Sequence, residues 1–532
     1  MASFLSSIVG LMAGVAAASL VAAPVDVDPD RYMFFATRNR VPTGSLVTAA
    51  AGHNYVTSKI VVNTPEYPVN HLRIHYSNFL LTEGGNSPRE QATGAIQTNP
   101  KIIDKVFAYA NGELVQVRFG GAPGLTIATA ARGGWSDEIV FTNKVTPETK
   151  VTFFTIYHTA VGEKQIPVYR IQKHRGERVW SGADLATVEA YVSNPDADSV
   201  GPLDVSYAAL AQPQVYGPDF MVAKGWDGRP VACCFVDSIG ESRQEFSAAA
   251  DDRGNLGWLR RWLDKKAGIG RIPHMMMAGP GAHAEYEMTG TGSNIATMRW
   301  DIVDEVKAMN GGTKLPFTVF INQMGQNDTA STISQWWTRI FNPRNRSNTR
   351  YPGIRHVYVP MLGRTTTNNN WRDTAGQSFA SNQVWPANEA DPATGKWVMR
   401  ARILALFGGI ADAAIDTYAA WVSPSADGKW PGYLELPFST LTQPLNATAS
   451  ITVADGSLYQ PEQVILVGST NKIIAAVNDN VITFTSATAE VQPVGTPIYQ
   501  IPTNDGVHLY PVMVRRVVDG IPQSEKQKLI AA

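Results

Sequence analysis

The run Val231-Ala-Cys-Cys-Phe-Val-Asp237-Ser238-Ile239-Gly240 constrains this chain more than any other stretch. Six apolar or small residues, Val231 to Val236, read as a short buried strand. The run then breaks abruptly into Asp-Ser-Ile-Gly. Gly240 permits a tight turn, and Gln244 to Ala250 has helix-forming composition. A strand, a sharp turn and a helix place a serine at the carboxyl edge of an α/β sheet, where such folds present chemistry. A lone Ser-Ile-Gly is most often only a turn.

Two distant stretches change the weight of that serine. Phe317-Thr-Val-Phe-Ile-Asn322 is a second buried-strand run, followed by Gln323-Met-Gly325-Gln326-Asn327-Asp328. Thr503-Asn-Asp505-Gly-Val-His508 puts a carboxylate three residues before a histidine. Acyl transfer by serine needs a base titrating near neutrality, a group that orients it, and donors for an oxyanion. The three stretches supply one of each.

Together they resemble the SGNH, or GDSL-type, hydrolase family. Val236-Asp237-Ser238-Ile239 is similar to its first block, Gly325-Gln326-Asn327-Asp328 to its third and Asp505-Gly506-Val507-His508 to its fifth. Val236 stands where the family has glycine and Ile239 where it has leucine. The second block falls at Gly279 or Gly281, and Gly279 is preferred. The resemblance spans about Pro230 to Val517. It implies a flavodoxin-like, three-layer α/β/α hydrolase in which Ser238 attacks an ester, His508 is the base and Asp505 orients the imidazole. It also implies an oxyanion hole of the Ser238 and Gly279 amides with the Asn327 side chain, and no metal or organic cofactor.

At 532 residues the chain is too long for one compact core. Its 45 basic and 46 acidic residues nearly cancel, which removes any global electrostatic case for nucleic acid or acidic membranes. The two cysteines, Cys233 and Cys234, are neighbours on a strand and point to opposite faces, so they read as small buried hydrophobes and not as a disulfide. His274 and His283 with Glu285 do not complete a metal-ligand set.

Six segments follow. Residues 1–30 are an apolar N-terminal stretch with three readings: a secretory signal, an assembly contact or a membrane anchor. Residues 31–170 carry short strands and Gly/Pro turns, as in a jelly-roll-like β-sandwich. Residues 171–229 read as a polar connection. Residues 230–439 are the first part of the hydrolase unit, with helices expected at Leu256–Lys266, Asn294–Met309 and Lys396–Ala420. Asp328 is expected to cap a helix starting near Ser331, and Arg364 and Trp371 to contact substrate from a loop. Residues 440–500 read as an inserted small β-barrel, loosely similar to β modules of phage virion proteins. Residues 501–532 complete the hydrolase.

The expected function is ester hydrolysis on an O-acylated, most simply O-acetylated, polysaccharide or glycan. The expected setting is secreted or virion-associated. Expected partners are the acylated glycan and a homo-oligomer or virion assembly; a membrane enters only if residues 4–23 are an anchor. The competing class is a structural or carbohydrate-binding virion protein carrying the same domain.

Overall fold

The computed structural model describes residues 27–530 apart from 44–45, 83–88, 92–98, 130, 167, 193–213, 242–243, 246–248, 278, 290–296, 329–332, 361–364, 380–401, 426–427 and 462. The apolar run 4–23 and Arg364 lie outside the described residues. Among the described residues no helix is long and apolar enough to cross a membrane.

Among the described residues, β-branched and aromatic runs in the first part of the chain form two larger antiparallel sheets, beside short two-stranded ones. One has the order Arg178–Gly182, Tyr55–Asn63, Lys150–His158, Lys101–Ala110, Glu113–Val117, with Leu125–Ile127 pairing with Lys101–Ala110. The other has the order Met33–Phe34, Met221–Lys224, Asn70–Ser77, Gly133–Trp135. Val151 and Phe153 enter a core shared with Leu72, Ile74 and Tyr76 of the second sheet, while Phe154 and Ile156 enter a smaller one. The Tyr76 hydroxyl meets Thr155 Oγ1 at 2.7 Å between the sheets. Arg178–Gly182 and Met221–Lys224 come from the stretch read as a connection, and they are paired because Val179 and Val222 are fully buried in the same core.

Residues 31–43 tie these sheets to the next. The Met276 amide donates to Asn39 O at 3.1 Å, the Val41 amide to Met276 O at 3.3 Å, and the Phe34 and Phe317 rings stack at 6.3 Å.

The next sheet is parallel. Its strands are β1 (Ala232–Phe235), β2 (His274–Met276), β3 (Val319–Asn322), β4 (Arg355–Tyr358) and β5 (Ala413–Ala414), in the order β2-β1-β3-β4-β5. Among the described residues five helices accompany them: α1 (Trp258–Leu263), α2 (Met298–Met309), α3 (Ile333–Arg350), α4 (Tyr418–Trp421) and α5 (Pro511–Gly520). Successive side chains divide between two cores. Cys233, Phe235, Met275 and Phe320 share one with Trp300 and Val303 of α2 and Ile340 of α3. Ala232, Cys234, Val236 and Ile321 share the other with Trp258 of α1, Trp421 of α4 and Met513 of α5. The two cysteines are thus free, fully buried and on opposite faces. The strand order reverses direction between β1 and β3, which places the switch point of the sheet at their carboxyl ends.

Two helix expectations change. Lys396–Ala420 is not one helix: Gly408 and Gly409 take φ of 63° and 70°, Ala413–Ala414 is the edge strand β5, and helix resumes only at Tyr418. The part of that stretch before Arg402 lies outside the described residues. After Ser238, the Gln244–Ala250 stretch shows no α-helix among its described residues.

Residues 439–500 form a separate antiparallel sheet. Its strands include β6 (Val464–Val467), β7 (Thr470–Asn478), β8 (Val481–Phe484) and β9 (Pro497–Gln500), in the order Ser439–Thr440, β9, β6, β7, β8, Ser450–Thr452. The bridge Leu441–Val453 joins the two ends of that order. Ile451, Ile465, Ile474, Ile482 and Ile498 fill its interior, while Leu466 faces the core of α1, α4 and α5.

Candidate active site

The carboxyl end of β1 runs directly into a single helical turn, closed by the Glu241 amide donating to Asp237 O at 3.0 Å. Gly240 is required there. A Cβ on it would lie 2.3 Å from Gln323 Oε1 and 2.8 Å from Val236 Cβ. This tight approach seats Ser238 at the end of the strand with 5% of its surface exposed.

The turn Thr503–His508 meets it from the other end of the chain. His508 Nε2 lies 2.8 Å from Ser238 Oγ, and His508 Nδ1 lies 2.7 Å from Asp505 Oδ2. An ionised carboxylate only accepts, so Nδ1 carries the proton and Nε2 is left to accept from the serine hydroxyl. The turn is held from within. The Val507 and His508 amides donate to Asp505 Oδ1 at 3.0 and 2.9 Å, and the Gly506 amide donates to Thr503 Oγ1 at 3.1 Å. Burial pushes the Asp505 carboxyl up, but the His508 ring and these amides outweigh it and hold the group well below the usual carboxylate range. Gln244, expected in a helix, instead donates to Asp505 Oδ2 at 3.3 Å and bonds Asn504.

Gly506 has φ of 68°, and a Cβ there would sit 1.8 Å from Thr365 O and 2.9 Å from the Trp371 ring. Trp371 is only 3% exposed. Its indole supports the Asp505–His508 turn from beneath, so it is not placed as the exposed substrate contact expected of it. The reason is local: Asn370 and Trp371 both have positive φ, a bend that turns the ring inward while Asn370 and Arg372 stay exposed.

Of the other expected oxyanion groups, Asn327 meets the turn that begins at Gly279. A turn from Gly279 to Ala282 follows β2, closed by the Ala282 amide on Gly279 O at 2.9 Å. Asn327 follows β3 and donates one amide hydrogen to Ala282 O at 3.0 Å, which leaves its second hydrogen for another acceptor. The start of the helix that Asp328 is expected to cap, near Ser331, lies outside the described residues. The two Asp328 oxygens accept from the Ala284 and Glu285 amides at 2.9 Å each, so Asp328 caps the turn Ala284–Tyr286 and staples the loop after β2 to the loop after β3. A cap is legible from residue type, but its partner 43 residues away is not.

Two buried carboxyls lie beneath the site. Burial pushes Asp328 up to about 7 and Asp237 up to about 6. Asp237 Oδ1 accepts from the Ile239 amide at 2.9 Å, whereas its buried Oδ2 has no partner. Among the described residues no group of three His, Cys, Asp or Glu side chains is placed to hold a metal ion. His274 is fully buried in β2, with Nδ1 on Ile272 O at 3.0 Å.

No protein-family model matches the chain, and no curated protein does. Among solved structures it is similar to a family two carbohydrate esterase from Clostridium thermocellum in complex with cellohexaose, at 10% identity over 59% of this chain and 73% of that one, with a TM-score of 0.18. It is similar to a carbohydrate esterase family 2 enzyme with a carbohydrate-binding domain from Corynascus thermopiles, at 9% identity over 72% and 91%, with a TM-score of 0.26. It is also similar to an acetyl xylan esterase from Butyrivibrio proteoclasticus, at 8% identity over 64% and 80%, with a TM-score of 0.22. At such scores the likeness carries no weight of its own, and the reading of the site rests on its geometry.

Proposed function

We propose that this chain is a serine ester hydrolase of SGNH type that removes O-acyl groups, most simply O-acetyl, from a polysaccharide or glycan. The observation that carries the proposal is the unbroken relay from Asp505 through both ring nitrogens of His508 to Ser238 Oγ. In this reading the parallel sheet, with α2 and α3 on one face and α1, α4 and α5 on the other, is the three-layer α/β/α unit.

Ser238 Oγ attacks the ester carbonyl while His508 Nε2 takes its proton. Asp505 holds the imidazole in the required tautomer and stabilises the imidazolium. The tetrahedral oxyanion is met by the Ser238 and Gly279 amides and by the second amide hydrogen of Asn327. His508 then returns the proton to the leaving alcohol, an acyl-serine forms, and water activated by the same histidine releases the acid. A polar substrate is favoured because Gln244 and Asn504 flank Asp505 and the exposed Asn370 and Arg372 border Trp371.

The test is hydrolysis of p-nitrophenyl acetate, butyrate and octanoate by wild type beside Ser238→Ala, followed by acetate release from an acetylated xylan. Hydrolysis that favours acetate and disappears in Ser238→Ala is expected. Activity unchanged by that substitution would remove Ser238 from the mechanism, and an inert wild type would return the chain to a binding role.

A further inference from the structure

The Asp505–His508 turn is suspended between two elements, β9 before it and α5 after it. Gln500 at the end of β9 and Val512 in the first turn of α5 both line a cavity of about 650 Å³, within the range that small-molecule sites occupy. Ala420, Leu436, Pro437 and Leu458 supply further apolar wall. The close approach of α4 and α5 that frames it depends on Gly520, where a Cβ would lie 2.8 Å from Ala420 Cβ.

Two adjacent guanidinium groups give this apolar cavity a cationic side. Arg515 donates to Leu458 O at 2.6 Å and Gln500 Oε1 at 3.1 Å, and burial pushes its pKa down. Arg516 donates to Val422 O at 3.1 Å, and its buried Nε has no partner. The oxygens that accept from them are uncharged; the carboxylates that act on Arg515 are Glu245, itself paired with Arg261 at 2.9 Å, and Asp519, itself paired with Lys265 at 3.0 Å. A half-buried guanidinium whose hydrogen bonds go to neutral oxygens, and whose nearby carboxylates are paired with other cations, keeps attraction for an added anion, and a carboxylate suits its planar donors.

We propose that this cavity is a binding site for a small amphipathic carboxylate, separate from the Ser238 relay. The carboxylate is held by Arg515 and Arg516, and the apolar body packs on Leu436, Pro437 and Leu458. An occupant touches both anchors of the Asp505–His508 turn, so binding stiffens the turn as well as filling the cavity.

The test is calorimetric titration of the full chain with 4-phenylbutyrate and with 4-phenylbutanamide, its uncharged isostere. Wild type is compared with Arg516→Gln and with Ala419→Trp, which fills the cavity from an exposed rim position of α4; circular dichroism checks that each variant is folded. The expected result is one saturable site for the acid, at least about tenfold weaker for the amide and for Arg516→Gln, and lost in Ala419→Trp. Heats that do not saturate in wild type, equal affinity for acid and amide, or variants that bind the acid as wild type does would each overturn the proposal. Because binding is read without turnover, the result is independent of whether Ser238 is a nucleophile.

Discussion

His508 Nε2 lies 2.8 Å from Ser238 Oγ although 270 positions of sequence separate them. The contact exists because β1 and the Thr503–His508 turn arrive at the same edge of one sheet. On the hydrolase reading proposed above, this edge should respond to single substitutions in specific ways.

Asp505→Asn keeps the shape of the turn but replaces an acceptor-only group beside His508 Nδ1. The imidazole then takes the wrong tautomer, and kcat for p-nitrophenyl acetate is expected to fall by about 10⁴-fold with KM little changed. The native Asp505 pKa is depressed, so its contribution to stability is present above the unfolded carboxylate value and is lost only as pH falls through its lowered folded value. The acid limb of kcat/KM should therefore not follow Asp505, which a pH–rate profile between roughly pH 4 and 9 checks.

Asp237 and Asp328 reverse that sign. Their folded pKa values are raised by burial to about 6 and about 7, so the folded state holds their protons more tightly than the unfolded chain. The stability this confers is full below the unfolded carboxylate value and is lost as pH rises through the folded values. Urea unfolding should show wild type less stable at pH 8 than at pH 4 through this term. Asp237→Asn keeps an oxygen for the Ile239 amide and should shrink the difference by on the order of 2–3 kcal/mol.

Gly506→Ala adds a Cβ 1.8 Å from Thr365 O at a backbone with φ of 68°. Neither the turn nor the Thr365 backbone yields cheaply, so a loss of about 2 kcal/mol or more is expected, with His508 displaced from Ser238. Thermal unfolding and kcat should fall together. Trp371→Ala, which removes the ring beneath the same glycine, should cost about 3–5 kcal/mol.

Asn327→Ala removes one proposed oxyanion donor and should lower kcat by about 10²–10³-fold with a small change in KM. Asp328→Ala instead strands the Ala284 and Glu285 amides, at a cost of about 2 kcal/mol or more. Its kcat should fall through loosening of the Gly279–Tyr286 loop. Comparing the two by urea unfolding and by kcat separates a donor from a staple.

Parts of this arrangement are legible in the residues alone. Val231–Val236 reads as a buried strand because six small or apolar residues leave no polar face, and Phe317–Asn322 reads as one because β-branched and aromatic residues dominate it. The alternation of Cys233 and Cys234 between two cores follows from strand geometry alone. Lys396–Ala420 misleads because its alanines favour helix, while the left-handed Gly408 and Gly409 break the run and tertiary pairing with β4 draws Ala413–Ala414 into the sheet against that preference. Gln244 misleads in the same way: helix-forming composition is a weak prior, and its hydrogen bonds to Asn504 and Asp505 override it.

The sequence by itself determined the chemical inventory: a serine after a buried strand, an Asp-x-x-His turn, a Gly-x-Asn-Asp turn, glycines where the chain must bend, and no charge imbalance to suggest nucleic acid. Local spacing carries such information because turns and strands depend on neighbours along the chain. Only the tertiary structure decided that Asp328 binds the loop after β2, that Trp371 lies under Gly506, and that β9 and α5 enclose a cavity with two arginines in its wall. Those outcomes depend on which distant surfaces exclude water together, and sequence separations of 43 or 270 residues leave no local trace of that choice.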